Sequence, residues 1–242
     1  MLNGMNVKNT IEFKLTGIYA LFTDPITKIG GEKFSYHVPT YEAIKGVLKS
    51  IYWKPTFIWY VDEVRVMKPL RTQTKGMKPI RYHKAGNDLS IYTYLHDVEY
   101  QVKAHFEWNQ HRPELEQDRN DGKHFNIAKR MLEKGGRQDI FLGTRDCQGY
   151  IEPCTFGEGE GAFDKIDELG FGLMFHSFGY PDETGKDKLE KSLWNAVMKK
   201  GVLKYPRPQT EECKSAFVRP MIAKQFGLGK NLLVVEQEEN RL

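Results

Sequence analysis

Ile11, Phe13 and Leu15 alternate with Glu12, Lys14 and Thr16, the two-residue period of a strand with one buried face. After a loop carrying Gly30 and Gly31, Thr40 is placed to cap a helix whose apolar positions Ile44, Val47, Leu48 and Ile51 recur at i, i+3, i+4 and i+7. Lys54-Pro55 stops it, because a residue before proline is pushed out of the helical region. Phe57 to Val66 reads as a second strand. The longest alternation follows, with Val98, Tyr100, Val102, Ala104, Phe106 and Trp108 set against Glu99, Gln101, Lys103, His105 and Glu107. It makes His105 a surface histidine on the polar face. A second helical stretch starts at Arg112-Pro113, breaks at an Asp121-Gly122 turn, resumes with Ile127, Ala128, Met131 and Leu132 on one face, and ends at Gly135-Gly136. Ile140 to Leu142 and the segment through Tyr150 return as strand.

The order strand, helix, strand, strand, helix, strand predicts an α+β fold, a ferredoxin-like β-α-β-β-α-β domain over residues 1–154 of the kind shared with RNA-recognition modules (RRM-like). Gly157, Gly159 and Gly161, set among acids, mark a loop or boundary. Phe171 to Tyr180, and a hairpin from Leu193–Met198 through Lys199-Lys200-Gly201 into Val202–Tyr205, predict a small C-terminal antiparallel β region over residues 155–206. Residues 207–242 show little periodicity and are expected to form a partly flexible tail.

Composition changes this picture little. The chain has 242 residues, 40% hydrophobic and 28% charged, which suits one to one and a half globular domains. No apolar run approaches the roughly 20 residues that span a bilayer, and Met1-Leu2-Asn3-Gly4 opens no signal-peptide pattern, so a cytoplasmic protein without membrane attachment is expected. Cys147, Cys154 and Cys213 lack C-x-x-C spacing and read as reduced thiols.

Charge changes it more. The net charge is only +4, but Arg65, Lys68, Arg71, Lys75, Lys78, Arg81 and Lys84 follow one another without an acid between them, interleaved with Pro69, Pro79, Tyr82 and His83. A second cluster holds Lys123, Lys129, Arg130, Lys134 and Arg137, whereas acids gather at Glu158, Glu160, Asp164, Asp167 and Glu168 and in the tail at Glu236, Glu238 and Glu239. Such asymmetry gives one face to a polyanion, with aromatic side chains near enough to stack on bases, and assigns the basic residues from Arg65 to Arg81 and from Lys129 to Arg137 to RNA contacts.

The chemistry sits in the second cluster. Asp118-Arg119-Asn120-Asp121-Gly122-Lys123-His124-Phe125 is a polar turn that delivers a Lys-His pair to the start of a basic helix. Backbone N–H groups at a helix N-terminus can receive phosphate, Lys123 can neutralise charge on it, and His124 exchanges a proton near neutral pH. Gly227-Leu228-Gly229-Lys230 lacks the spacing and Ser/Thr of a phosphate loop and reads as a turn. The histidines show no metal-binding spacing, and the acid pairs Asp62-Glu63 and Asp182-Glu183 read as solvated, so neither a metal nor another cofactor is expected.

Several longer segments carry a family resemblance. Ala20-Leu21-Phe22-Thr23-Asp24-Pro25, Lys28-Ile29-Gly30-Gly31-Glu32-Lys33, Ser50-Ile51-Tyr52-Trp53-Lys54-Pro55, Tyr100-Gln101-Val102-Lys103-Ala104-His105-Phe106, Gly122-Lys123-His124, Arg137-Gln138-Asp139-Ile140-Phe141-Leu142-Gly143 and Tyr180-Pro181-Asp182-Glu183-Thr184-Gly185 resemble the CRISPR-associated Cas-five family, type I-C (Dvulg) subtype, from about Ile11 to about Tyr205. The resemblance implies a catalytic constellation of Tyr52, Lys123 and His124, all three present here. It implies an endoribonuclease that cuts precursor CRISPR RNA in the repeat hairpin. The product would stay bound by its 5′ handle within a surveillance complex, with other type I-C subunits and target DNA as partners.

RNA carries its own nucleophile, the 2′-OH, so cleavage needs a base for that proton, positive charge for the phosphorane and an acid for the leaving 5′ oxygen. His124 can serve as base or acid, Lys123 as the charge, and Tyr52 as a group that orients the 2′-OH or phosphate. Without the resemblance Tyr52 reads as an aromatic at the core edge, beside Ile51 and Trp53. The alternative function is a non-catalytic crRNA-binding subunit of the same complex. A metal-dependent nuclease using Asp62 and Glu63 is more distant.

Overall fold

The computed structural model describes residues 9–29, 31–83 and 85–239, so Met1-Leu2-Asn3-Gly4, Gly30, Lys84 and the last three residues lie outside the described part. In chain order the elements are β1 (Thr10–Ala20), α1 (Pro25–Lys28), β2 (Lys33–Phe34), α2 (Tyr41–Ile51), β3 (Phe57–Val66), β4 (Thr72–Met77) and β5 (Ser90–Trp108). A 3-10 turn (Pro113–Asp118) leads into α3 (Asp121–Glu133), followed by β6 (Ile140–Phe141), β7 (Gln148–Pro153), β8 (Leu169–Gly179), α4 (Pro181–Thr184), β9 (Lys188–Lys199), β10 (Val202–Lys204), β11 (Lys214–Pro220) and α5 (Val235–Glu239). The fold is α+β, a mostly antiparallel sheet with few helices. Among the described residues no helix is long and apolar enough to cross a membrane.

The long alternation forms the spine of the sheet. β5 pairs antiparallel with β1 from Thr10 opposite His105 to Ala20 opposite Leu95, and on its other edge with β3. The alternation legible from Val98 onward extends back to Ser90, where β5 gains β4 as a hairpin partner and β2 as a short parallel one. Ile91, Tyr92, Thr93 and Tyr94 supply β-branched and aromatic side chains to the β4 ladder, which suits an extended backbone. β4 itself falls within the basic stretch from Arg65 to Lys84, where the sequence pattern placed no strand.

Along the sheet the order is β11-β9-β10-β3-β5-β1-β7-β6, with β8 paired to β9. The hairpin expected from Leu193 to Tyr205 is present as β9 and β10, and β10 also pairs with β3. One hydrogen-bonded sheet therefore runs through both residues 1–154 and residues 155–206. Residues 207–242, read as a partly flexible tail, contribute β11 to that sheet, and α5 brings the fully buried Val235 back against the body of the protein.

Thr40 caps α2 as expected, its Oγ1 accepting from the Ala43 N–H at 3.2 Å. Ile44, Val47, Leu48 and Ile51 are buried, and α2 packs on β3 and β8 and touches α3. Burying each such aliphatic side chain is worth about 1.5–3 kcal/mol. Beyond Ile51 the chain turns extended at Tyr52, whose backbone N–H still reaches Leu48 O and whose carbonyl accepts from Trp59 Nε1 at 2.7 Å. These bonds fix the direction of the Tyr52 side chain. His105, expected on the surface, is buried instead, because the Tyr60 ring of β3 stacks on it at 5.5 Å and Asp62 and Glu107 hydrogen-bond its ring nitrogens. The pair Asp182-Glu183, expected to be solvated, is tied inward: Asp182 binds the Arg112 guanidinium, and Glu183 accepts from Lys45 and Lys49.

Candidate active site

The turn from Asp118 to Phe125 folds as its residue types require. Asn120 caps α3, its side chain accepting from the Lys123 N–H at 3.1 Å, and this puts Lys123 and His124 in the first turn of the helix. His124 points inward and Lys123 outward.

Tyr52 and His124 meet although 72 positions separate them, with Tyr52 Oη 2.9 Å from His124 Nδ1. Both side chains belong to fully buried residues. Tyr52 is thus an aromatic of the core whose hydroxyl meets His124. His124 Nε2 lies 2.7 Å from the carbonyl oxygen of Asp118. A carbonyl only accepts, so Nε2 carries the hydrogen, and in the neutral ring Nδ1 is left with the lone pair that accepts from the Tyr52 hydroxyl. Phe57, Phe106 and Trp108 surround the imidazole with ring centroids 5.3, 6.4 and 5.6 Å away. Burial lowers the His124 pKa below its ordinary value, opposed by the bond to the Asp118 carbonyl and by the Asp118 charge. Burial also raises the Tyr52 pKa, with Glu238 and Asp118 adding to the shift, so the phenol keeps its proton.

Behind this pair lies a buried ionic cluster that sequence reading did not assign. The Asp118 carboxylate is fully buried and accepts from Lys54 Nζ at 3.2 Å, Thr56 Oγ1 at 2.6 Å and the Val235 N–H at 2.6 Å. It anchors the peptide whose carbonyl orients His124. The signal in the sequence was slight: Asp118 opens the turn, and Lys54 follows Tyr52-Trp53 where it reads as a helix stop.

Lys123 Nζ stands 3.4 Å from Glu236, and Arg137 is paired with Glu238. The other basic residues divide. Arg65, assigned with the first basic cluster to RNA contact, lies buried on β3, where its guanidinium binds Asp164, Gln101 and the carbonyls of Glu158 and Gly159. It pins the loop of Gly157, Gly159 and Gly161 to the sheet, so its guanidinium is already engaged within the protein. Lys68 pairs with Asp97 at 2.7 Å, Arg81 lies 3.4 Å from Asp88, and Lys75 Nζ sits 3.5 Å over the Tyr19 ring. Arg71, Lys78, Lys129 and Lys134 are exposed, while Arg130 is half-buried. Among the described residues no three His, Cys, Asp or Glu side chains gather as a metal site.

The family profile described as "CRISPR-associated protein (Cas_Cas5)", of the Cas5d group, matches residues 10–206. The chain belongs to this Cas5 family. A CRISPR pre-crRNA endoribonuclease Cas5d from Mannheimia succiniciproducens is 27% identical over 241 residues, covering 85% of this chain and 99% of the relative. Its counterpart from Thermus thermophilus is 28% identical over 189 residues, covering 74% and 77%. Among solved structures, a CRISPR-associated protein superimposes with a TM-score of 0.72 at 33% identity, covering 86% of this chain and 97% of the other. A functionally uncharacterised protein from Streptococcus mutans, SMU1763c, gives 0.70 at 36% identity with the same coverages. Cas5 membership covers Tyr52, Lys123 and His124; the tail that carries Glu236 and Glu238 lies beyond the matched residues.

Proposed function

We propose that this chain is a pre-crRNA endoribonuclease that cuts the repeat by attack of the RNA's own 2′-OH and needs no metal ion. The observation that carries the reading is the 2.9 Å contact between Tyr52 Oη and a His124 Nδ1 left basic by the Nε2 bond to Asp118. In the reaction a 2′-OH takes the place of Tyr52 as donor to Nδ1. The 2′ oxygen bonds to phosphorus as its proton passes to His124, and the bond from phosphorus to the 5′ oxygen breaks. The imidazolium then returns the proton to that leaving oxygen. Lys123 neutralises the phosphorane, and Tyr52, kept protonated, donates to a non-bridging oxygen.

A ferredoxin-like core is the finer fold reading, supported by the antiparallel order β3-β5-β1-β7 with α2 between β1 and β3 and α3 between β5 and β7. The product stays on the protein by its 5′ handle, in a type I-C surveillance complex whose other subunits and target DNA complete the set of partners. The names of the relatives, both endoribonucleases, favour this over a non-catalytic crRNA-binding subunit.

The test is a repeat RNA with a single 2′-deoxy substitution immediately 5′ of the scissile phosphate. It should bind and remain uncut, while the unmodified RNA is cut in excess EDTA and yields a 2′,3′-cyclic phosphate and a 5′-hydroxyl. Cutting of the deoxy substrate at the same bond, or loss of activity on chelation with recovery on adding a divalent ion, would mean that water attacks instead.

A further inference from the structure

Tyr52 and His124 are both fully buried, so no 2′-OH can reach Nδ1 until something moves. The segment nearest to hand is the chain's own C-terminal stretch, residues 226–239, which lies outside the part matched to the Cas5 family. It covers the site with groups that imitate a nucleic acid strand. Glu236 lies on Lys123, and Glu238 lies between Arg137 and Lys54, 3.2 Å from the latter. The Leu233 carbonyl accepts from Lys54 at 2.5 Å, and the Phe226 ring meets Trp53 edge-on at 6.1 Å. Between the segment and the body runs a groove of about 510 Å³, walled on one side by Trp53, Lys54 and Arg137 and on the other by the segment's own Asn231, Leu233 and Glu238.

We propose that this groove is a subsite for single-stranded RNA flanking the scissile phosphate, held by residues 226–239 until RNA displaces them. The inference rests on the endoribonuclease reading. Lys54 and Arg137 receive phosphate where the tail now offers the Glu238 carboxylate, and Trp53, still 39% exposed, stacks a base where it now meets Phe226. The cover is held imperfectly. One carboxylate oxygen of the buried Glu238 has no well-aligned hydrogen bond, despite Lys54 nearby, and leaving such an atom unsatisfied is costly. A phosphate, with more acceptor oxygens and more freedom to turn, competes for the same cations on favourable terms.

Displacement is read by comparing the parent with two variants, one ending after Gln225 and the full chain carrying Glu236→Gln and Glu238→Gln. The second keeps the tail's shape and guards against failure of the first to fold. The probe is a labelled oligouridine of about ten nucleotides, within usual single-strand site sizes. If the segment is closed about nine-tenths of the time, opening it tightens binding about tenfold. Both variants should gain affinity, the truncated chain by that factor and the double variant by part of it. Adding Trp53→Ala to the truncated chain should cost about tenfold. In the parent, the Val235 amide, which donates to Asp118, should exchange faster when the oligouridine is bound. Unchanged or weaker binding by both variants, or slower Val235 exchange with RNA, overturns the proposal. Cleavage of the repeat is scored separately: repeat RNA held by every protein but cut by none would overturn the endoribonuclease reading, whereas the oligouridine decides the subsite.

Discussion

At the scale of single residues, the site turns on which nitrogen of His124 holds the hydrogen. The Asp118 carbonyl answers this, and the Asp118 carboxylate, tied to Lys54, Thr56 and the Val235 amide, keeps that carbonyl in place. Replacing His124 by Ala should slow single-turnover cleavage about 10²–10⁴-fold, the usual worth of a general base, with RNA affinity little changed. Tyr52→Phe removes one hydrogen bond to a group that becomes charged, so the loss should be about 10- to 100-fold. Because burial lowers the His124 pKa, the ring is neutral at pH 7, and a base of this kind gives a rate that climbs with pH below 6.5 and levels at neutrality. A rate that falls across that range would make His124 the acid in the limiting step. Tyr52 and His124 were legible as residue types and by resemblance. Their contact was not, since it depends on the extended turn after α2 and on the inward face of α3.

At the scale of elements, period carried most of the assignment and failed where an element buries little. β1, α2, β3 and the second half of β5 have long apolar stripes and lie where the alternation placed them. β4 and β11 are almost wholly exposed, so no face is selected for apolar residues and no period marks them. Pairing with β5 nevertheless orders β4, and it sets Lys75 over Tyr19 beside Arg71 and Lys78. We expect this hairpin to contribute phosphate contacts. Substituting Arg71, Lys75 and Lys78 with Ala should weaken RNA binding and reduce the slope of log affinity against log salt by about 0.7–0.9 per lost contact. An unchanged slope measured by titration at several salt concentrations would reassign the hairpin to contacts with protein. Arg65 serves as the control within the same sequence cluster, because its guanidinium is already bound to Asp164 and two carbonyls.

At the scale of the whole molecule, two of the buried histidines lie on different elements, His124 on α3 and His176 on β8. His124 is the proton acceptor of the proposed reaction. His176, on β8, stacks on Tyr41 at 4.4 Å and has its Nδ1 2.9 Å from Ser177 Oγ, far from the cluster around Asp118 in sequence and facing the core under α2. Burial pushes its pKa from 6.5 down to about 4, with Lys45 adding to the effect and a backbone contact at Pro206 opposing it. The unfolded chain therefore binds more protons than the folded one between these values. Stability is fully present above pH 6.5 and is lost as pH falls toward 4, by on the order of 3 kcal/mol from this residue alone. Urea midpoints measured at pH 7, 5 and 4 should show the decline, and His176→Phe, which keeps the stacking but cannot titrate, should show a shallower one. The comparison is between slopes, so a general loss of stability in the variant does not obscure it. Equal slopes for parent and variant would mean that His176 is hydrated enough to charge without unfolding the sheet, and the pH dependence would then belong to the buried carboxylates such as Glu183, whose pKa is lowered by Lys45 and Lys49 despite its burial.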